Sequence, residues 1–314
     1  MKIGNAFWGF ALLSGTYIGV LLWADSKNQV LGQLYLLLYT IPMLMTFSLS
    51  SYIVRYFRWH WLIQRSGNKV SWVYGFLAYL AGFAFTATPG KAGELIRVRY
   101  LLQVGVPANV SFGAFVYERG LDLIVVLLLA SLAISNLSLL MLAYSFVVIF
   151  VTMIIAFGCK PNLFSYLGKI FHKLGFIKLE KIIFVIRDGF LTSRIWFTPV
   201  DLLLSLTWGF LAWGITSYSF VWLLGDLRVP IDFSLALSIF SLAMLAGAAS
   251  MLPGGIGSTE LTVIFLLSLC GVPTHVSTLA AVGISFATIW FAVLVGFICM
   301  GLLELRIYWS KSRK

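Results

Sequence analysis

Lys91, Glu94, Arg97, Glu118, Arg119, Asp122 and Glu260 are ionisable residues set in sequence that is otherwise strongly apolar. A charge at the centre of a bilayer costs about 2.5–3.5 kcal/mol or more, so such residues are functional candidates by default. Their spacing adds chemistry. On a helix, Glu118 and Asp122 stand four apart and share a face, while Arg119 reaches Asp122 three residues on. One arginine against two carboxylates leaves a negative charge that Lys91, Arg97 or Arg99 can neutralise. A structural ion-pair network and a ligand site both satisfy that pattern.

Two Pro-Gly breaks supply a second chemistry. The first reads Pro89-Gly90-Lys91-Ala92-Gly93-Glu94, and the second Pro253-Gly254-Gly255-Ile256-Gly257-Ser258-Thr259-Glu260. A helix that starts just after such a break presents unpaired N–H groups and the positive end of its dipole, which suits an anion. Lys91 adds a full positive charge at the first break, and Ser258 or Thr259 can cap the second helix or donate to a ligand. Phosphate fits these groups better than a cation does.

The surrounding sequence says where such residues must sit. Of the 314 residues, 61% are hydrophobic and only 11% charged. A soluble domain carries about a quarter charged residues, so this chain has too few to cover a water-facing surface. The composition also excludes disorder. A net charge of +11 could signal nucleic acid, but Lys and Arg collecting in cytoplasmic loops explain it better. Eleven Trp and thirteen Tyr suit interfacial anchoring. Cys159, Cys270 and Cys299 are scattered packing residues, and His60, His172 and His275 lack metal-ligand spacing. No metal and no cofactor is expected.

Six segments are apolar over a membrane's width: 6–24, 30–54, 110–134, 137–158, 200–225 and 275–303. The first lacks a cleavage site and reads as a retained span. Arg55, Arg58, Arg65 and Lys69 follow the second, the stretch 160–198 is basic, and the tail holds Arg306, Lys311, Arg313 and Lys314. All three clusters are expected in the cytoplasm, which puts both termini inside. The connector 159–199 is expected to be a basic amphipathic surface segment, with Phe164, Leu167, Ile170, Phe171 and Leu174 at helical spacing.

Two regions, 70–106 and 231–272, are too long for one span, are broken centrally by Pro and Gly, and must return to the side they came from. They are predicted to be re-entrant hairpins, tolerated at membrane depth only where the broken backbone is buried in protein or lines a cavity. After its break each region ends alike, at Gly105-Val106-Pro107 with Val110-Ser111 beyond, and at Gly271-Val272-Pro273 with Val276-Ser277 beyond. The predicted fold is therefore an all-α polytopic protein, a single transmembrane domain over 1–314. It has six full spans and two broken hairpins, arranged as inverted repeats over 30–134 and 200–303. Such repeats place a substrate site near the midplane, where the tips meet.

The runs PGKAGELIRVRYL, FVYERGLDL and MLPGGIGSTELT, with a looser Arg58-Trp59-His60-Trp61-Leu62-Ile63 before them, resemble the flippase-like membrane family. This is the transmembrane domain of lysylphosphatidylglycerol synthases and of related stand-alone proteins. The resemblance covers nearly the whole chain. It implies a polytopic protein that moves a lipid between leaflets, and it carries roles onto Pro89, Gly90, Gly93, Glu94, Arg97, Glu118, Arg119, Asp122, Pro253, Gly254, Gly257 and Glu260. The bifunctional members continue into a soluble aminoacyl transfer domain. This chain stops at Lys314, so no synthase activity is expected.

The leading expectation is a cell-membrane flippase for an anionic or polyprenyl-phosphate-linked lipid. Lys91, Arg97, Arg119, Gly90, Gly93, Gly254, Gly257 and Ser258 would bind the substrate, and Glu94, Glu118, Asp122 and Glu260 would balance charge or carry a coupling proton. One alternative is a membrane glycosyltransferase or other lipid-modifying enzyme, although no DxD pattern or nucleotide-binding glycine loop occurs. The other is a non-transporting lipid-binding scaffold for a lipid or glycan synthase.

Overall fold

The structure is a computed structural model that describes residues 37–132, 141, 144–149, 152, 164–166, 169, 171–172 and 177–312. The expected span 6–24, the start of span 30–54 and most of span 137–158 lie outside the described residues.

All regular structure among the described residues is helical. Helix α1, Thr40–Arg65, runs 26 residues. The expected span 30–54 is thereby shifted toward the C-terminus, and Arg55, Arg58 and Arg65 lie inside the helix rather than after it. Helix α2, Trp72–Ala81, starts at the cap Ser71 and tightens into a 3₁₀ turn over Gly82–Phe85. A second 3₁₀ stretch, Pro89–Ile96, leads into the short α3, Arg97–Leu102. Helix α4 covers Ala108–Ala130.

The second half repeats this order. Helix α6, Pro199–Asp226, is followed by α7, Phe233–Ala249, a 3₁₀ turn over Pro253–Gly255, and α8, Ser258–Leu269. Helix α9, Thr274–Ser285, passes through a π segment, Phe286–Trp290, into α10, Phe291–Ser312. Pro199–Asp226 and Thr274–Trp309 are, among the described residues, the helices both long and apolar enough to cross a membrane. The connector contributes α5, Ile177–Ser193. This helix does not simply lie on a surface. Gly189 meets Gly113 of α4 so closely that a Cβ on Gly113 would come within 2.6 Å of the Gly189 oxygen. Asn109 also donates to Thr192 at 3.0 Å.

The Gly-Val-Pro turns close alike. Gly105 has φ +85° and Gly271 φ +79°, a region that costs other residues about 1–2 kcal/mol. Val106 N donates to Leu101 O, and Val272 N to Leu267 O, each at 3.1 Å. These are Schellman closures, which turn the chain back while satisfying carbonyls at the helix end.

Helices α1 and α6 pack along each other with reciprocal end contacts. Arg65, the last residue of α1, pairs with Asp201 in the first turn of α6 at 3.1 Å. Thr40, the first residue of α1, donates to Asp226, the last of α6. Midway, Thr216 donates to Ser51 at 3.0 Å, and Ser51 donates to the Ala212 carbonyl at 3.0 Å.

The apolar interior forms two large clusters. One joins the later part of α1, α2, α3, the start of α4 and the first half of α10. The other joins the end of α4 to α6, α7, α8 and α9. The long helices change cluster at one level. On α4 the change falls between Leu121 and Val125, and on α9–α10 between Ala287 and Ala292.

Candidate functional site

The charged residues occupy that level. Glu118, Arg119 and Asp122 sit mid-way along α4, about 15 Å from its start at 1.5 Å per residue. Arg55 and Arg58 face them from α1, on a stripe that continues Ser48 and Ser51. The expectation that Arg55 and Arg58 mark a cytoplasmic loop is corrected here. Arg58 is 1% exposed and donates to Asp122 at 2.8 Å, with Glu118 at 3.4 Å. Two carboxylates one turn apart need a cation between them; Arg58 supplies it, together with Arg97, one of the cations expected there.

From the first break come Lys91, Glu94 and Arg97. Arg97 is fully buried, stacks 4.6 Å over the Tyr79 ring, pairs with Glu94 at 2.6 Å and lies 3.7 Å from Glu118. Thr86 donates to the other oxygen of Glu94 at 3.1 Å. Gly93 is needed for this packing, because a Cβ there would come within 2.5 Å of Phe85 Cβ. Arg119 lies 3.6 Å from both Glu94 and Asp122, and its Nε has no acceptor. Arg55 is 3.5 Å from Asp122 and rests 4.1 Å over the Trp213 ring of α6.

The two breaks touch. Thr88 O accepts from Lys91 N at 2.9 Å and from Gly254 N at 3.5 Å. Several backbone N–H groups at the breaks already have partners. Gly93 N donates to Thr88 Oγ1 at 2.7 Å, Gly257 N to Glu260 at 2.7 Å, and Gly255 N to Leu252 O at 2.9 Å. Ser258 donates to Ser250 and to Gly255 O within the second break. Glu260 is thus a helix cap, and Arg99 pairs with Glu304 near the surface, at 3.0 Å.

What remains available is side-chain charge around two adjoining cavities. The smaller, about 70 Å³, is lined by Arg55, Lys91, Glu94, Arg119 and the hydroxyls of Ser48 and Thr86, among others. The larger, about 420 Å³, is walled mostly by apolar side chains such as Leu123, Val126, Leu245 and Leu252. Lys91, Arg119, Trp213, Met244 and Gly254 border both. Lys91 is strained, with φ +56° in the left-handed region, and its ammonium makes no ion pair among the described residues. A strained, unpaired cation at a cavity wall is where ligand contacts are expected. The indole N–H of Trp213 is likewise buried without an acceptor. Arg97 and Gly257, expected to bind substrate, border neither cavity. The π segment of α9–α10 lends Thr288 and Ile289 to the smaller cavity, and its irregular backbone is held by Ser48, which donates to Ala287 O at 2.8 Å.

A helical protein with spanning-length apolar helices and a charged layer between two apolar cores belongs among membrane proteins. The sequence places it further: residues 7–296 match the family described as the lysylphosphatidylglycerol synthase TM region, and the chain belongs to that family. Neither the curated proteins nor the solved structures give a match. Membership ties the chain to membrane lipids, through the part of the family that is non-catalytic.

Proposed function

We propose that this protein binds an anionic lipid, with the phosphate beside Lys91 and Arg119 and the chain in the apolar cavity, and moves it between leaflets. The observation that carries this reading is the pair of adjoining cavities, one charged and one apolar, sharing those two cations. An amphiphile needs both environments at once, and soluble ions need only one. In this reading the helices Trp72–Phe85, Phe233–Ala249 and Pro253–Leu269 are arms of re-entrant hairpins. At 14 to 17 residues each, they reach about 21–26 Å, short of the roughly 30 Å hydrocarbon core. The reading keeps the inverted repeats and cytoplasmic termini expected from the sequence, in the cell membrane, with the second span moved to Thr40–Arg65.

The test is transport by the purified chain in liposomes carrying fluorescent phosphatidylglycerol or, in parallel, fluorescent phosphatidic acid, with a quencher outside. Wild type should equilibrate the label between leaflets, and Arg119→Ala should abolish that movement while melting near wild type. Wild-type transport rates in the variant would remove Arg119 from the site, and no transport by wild type would remove the function.

A further inference from the structure

The charges of the site do not balance. Four arginines, Arg55, Arg58, Arg97 and Arg119, and three carboxylates, Glu94, Glu118 and Asp122, form one connected set of ion pairs. Lys91 borders the same cavities as a fifth cation without an ion-pair partner. Five positive charges against three negative leave a surplus of two among the described residues. Glu260 does not offset it, since its carboxylate caps Gly257 and forms no ion pair with these cations.

The surplus is not evenly spread. Arg58 and Arg97 border neither cavity and hold their carboxylates at 2.8 and 2.6 Å. Arg55 and Arg119 border cavities and stand 3.5–3.6 Å from theirs, beyond good hydrogen-bond length. The two tightly paired arginines thus stand behind the wall, while the cations in it, Arg55, Arg119 and Lys91, are loosely held or unpaired and share it with Glu94 and Asp122. Buried charge without a counter-charge is costly, so a ligand that supplies both missing negatives gains most.

From this imbalance, which rests on the lipid-binding reading above, we infer that the site is built for a terminal phosphate dianion rather than for a phosphodiester monoanion. A lipid ending in a phosphomonoester carries that group, and so does free inorganic phosphate.

Binding to the purified full-length chain distinguishes these. The probes are dihexanoyl phosphatidic acid, dihexanoyl phosphatidylglycerol and inorganic phosphate, each titrated at about pH 8 and about pH 5. A phosphomonoester's second ionisation falls near pH 6, so only phosphatidic acid and inorganic phosphate change charge appreciably between those conditions. At the higher pH phosphatidic acid should bind at least about tenfold tighter than phosphatidylglycerol, and at the lower pH the ratio should shrink toward one. Lys91→Met removes one surplus charge and should lower the ratio at the higher pH.

A ratio within about twofold at the higher pH, or an unchanged ratio in Lys91→Met, overturns the dianion assignment while the lipid site stands. Inorganic phosphate binding as tightly as phosphatidic acid overturns the lipid reading and leaves the dianion assignment standing. If none of the three binds, both fail. The wild-type ratio and its pH dependence decide the matter even if Lys91→Met does not fold.

Discussion

Arg58 and Arg119 both address Asp122, and their removal should have different consequences. Arg58 is enclosed and bridges Glu118 and Asp122, so Arg58→Met leaves two buried carboxylates short of a partner. Breaking a buried pair from one side costs about 3–5 kcal/mol. Arg119 is held loosely, retains an unused Nε and belongs to a set already rich in cations. Arg119→Gln should therefore melt within a few degrees of wild type in detergent and lose lipid binding, whereas Arg58→Met should melt far earlier. Equal loss of stability in both would show that the set does not divide into scaffold and ligand groups. Most of this set stands out in the sequence because a charge in apolar surroundings is conspicuous. Arg55 and Arg58 do not, because they adjoin Arg65 and Lys69 and share in the charge pattern of a cytoplasmic loop. Helical phase separates them: Ser48, Ser51, Arg55 and Arg58 recur every three or four residues and line one buried face.

At the scale of elements, the contact between the two breaks can be tested directly. A Cβ built on Gly254 would lie 3.6 Å from Ala87 Cβ, inside the span of a disulfide. In a background lacking Cys159, Cys270 and Cys299, the pair Ala87→Cys and Gly254→Cys should cross-link under mild oxidation. Lipid movement should stop, then return with reductant. Failure to cross-link in folded protein would mean that the breaks do not meet in the membrane. The breaks themselves are legible in sequence, since Pro removes a donor and Gly permits positive φ, and so are the Gly-Val-Pro turns. The inner form of the first break is not. It is a 3₁₀ stretch in which the N–H groups of Lys91 and Gly93 are taken up by Thr88, a pairing that no spacing rule announces. The docking of α5 is hidden for a related reason: two glycines, Gly113 and Gly189, touch across distant sequence, and neither is marked by its neighbours.

At the scale of the whole molecule, we propose two halves related by a two-fold axis, an arrangement with which the reciprocal contacts of α1 and α6 accord. Thr40 and Asp201 open their helices, Arg65 and Asp226 close theirs, and each opener meets the other helix's closer. A two-fold relation makes contacts of this self-complementary kind. If the axis lies in the membrane plane, equivalent turns face opposite sides. The Gly105 turn lies toward the end where Arg99 meets Glu304 and Arg306 stacks on Tyr74, a basic end suited to the cytoplasm. The Gly271 turn lies with Val272 in the other core, beside Leu227 and Val229 at the far end of α6. Cys270 is exposed at that turn, and Gln103 is exposed at the first. With Cys159 and Cys299 replaced by Ser, a membrane-impermeant maleimide added to intact cells should label Cys270. In the Gln103→Cys, Cys270→Ser variant, the same reagent should label only after the membrane is opened. Labelling of both positions from one side would place the two turns on the same face of the membrane. The halves would then be parallel, and the proposal of inverted repeats would fail.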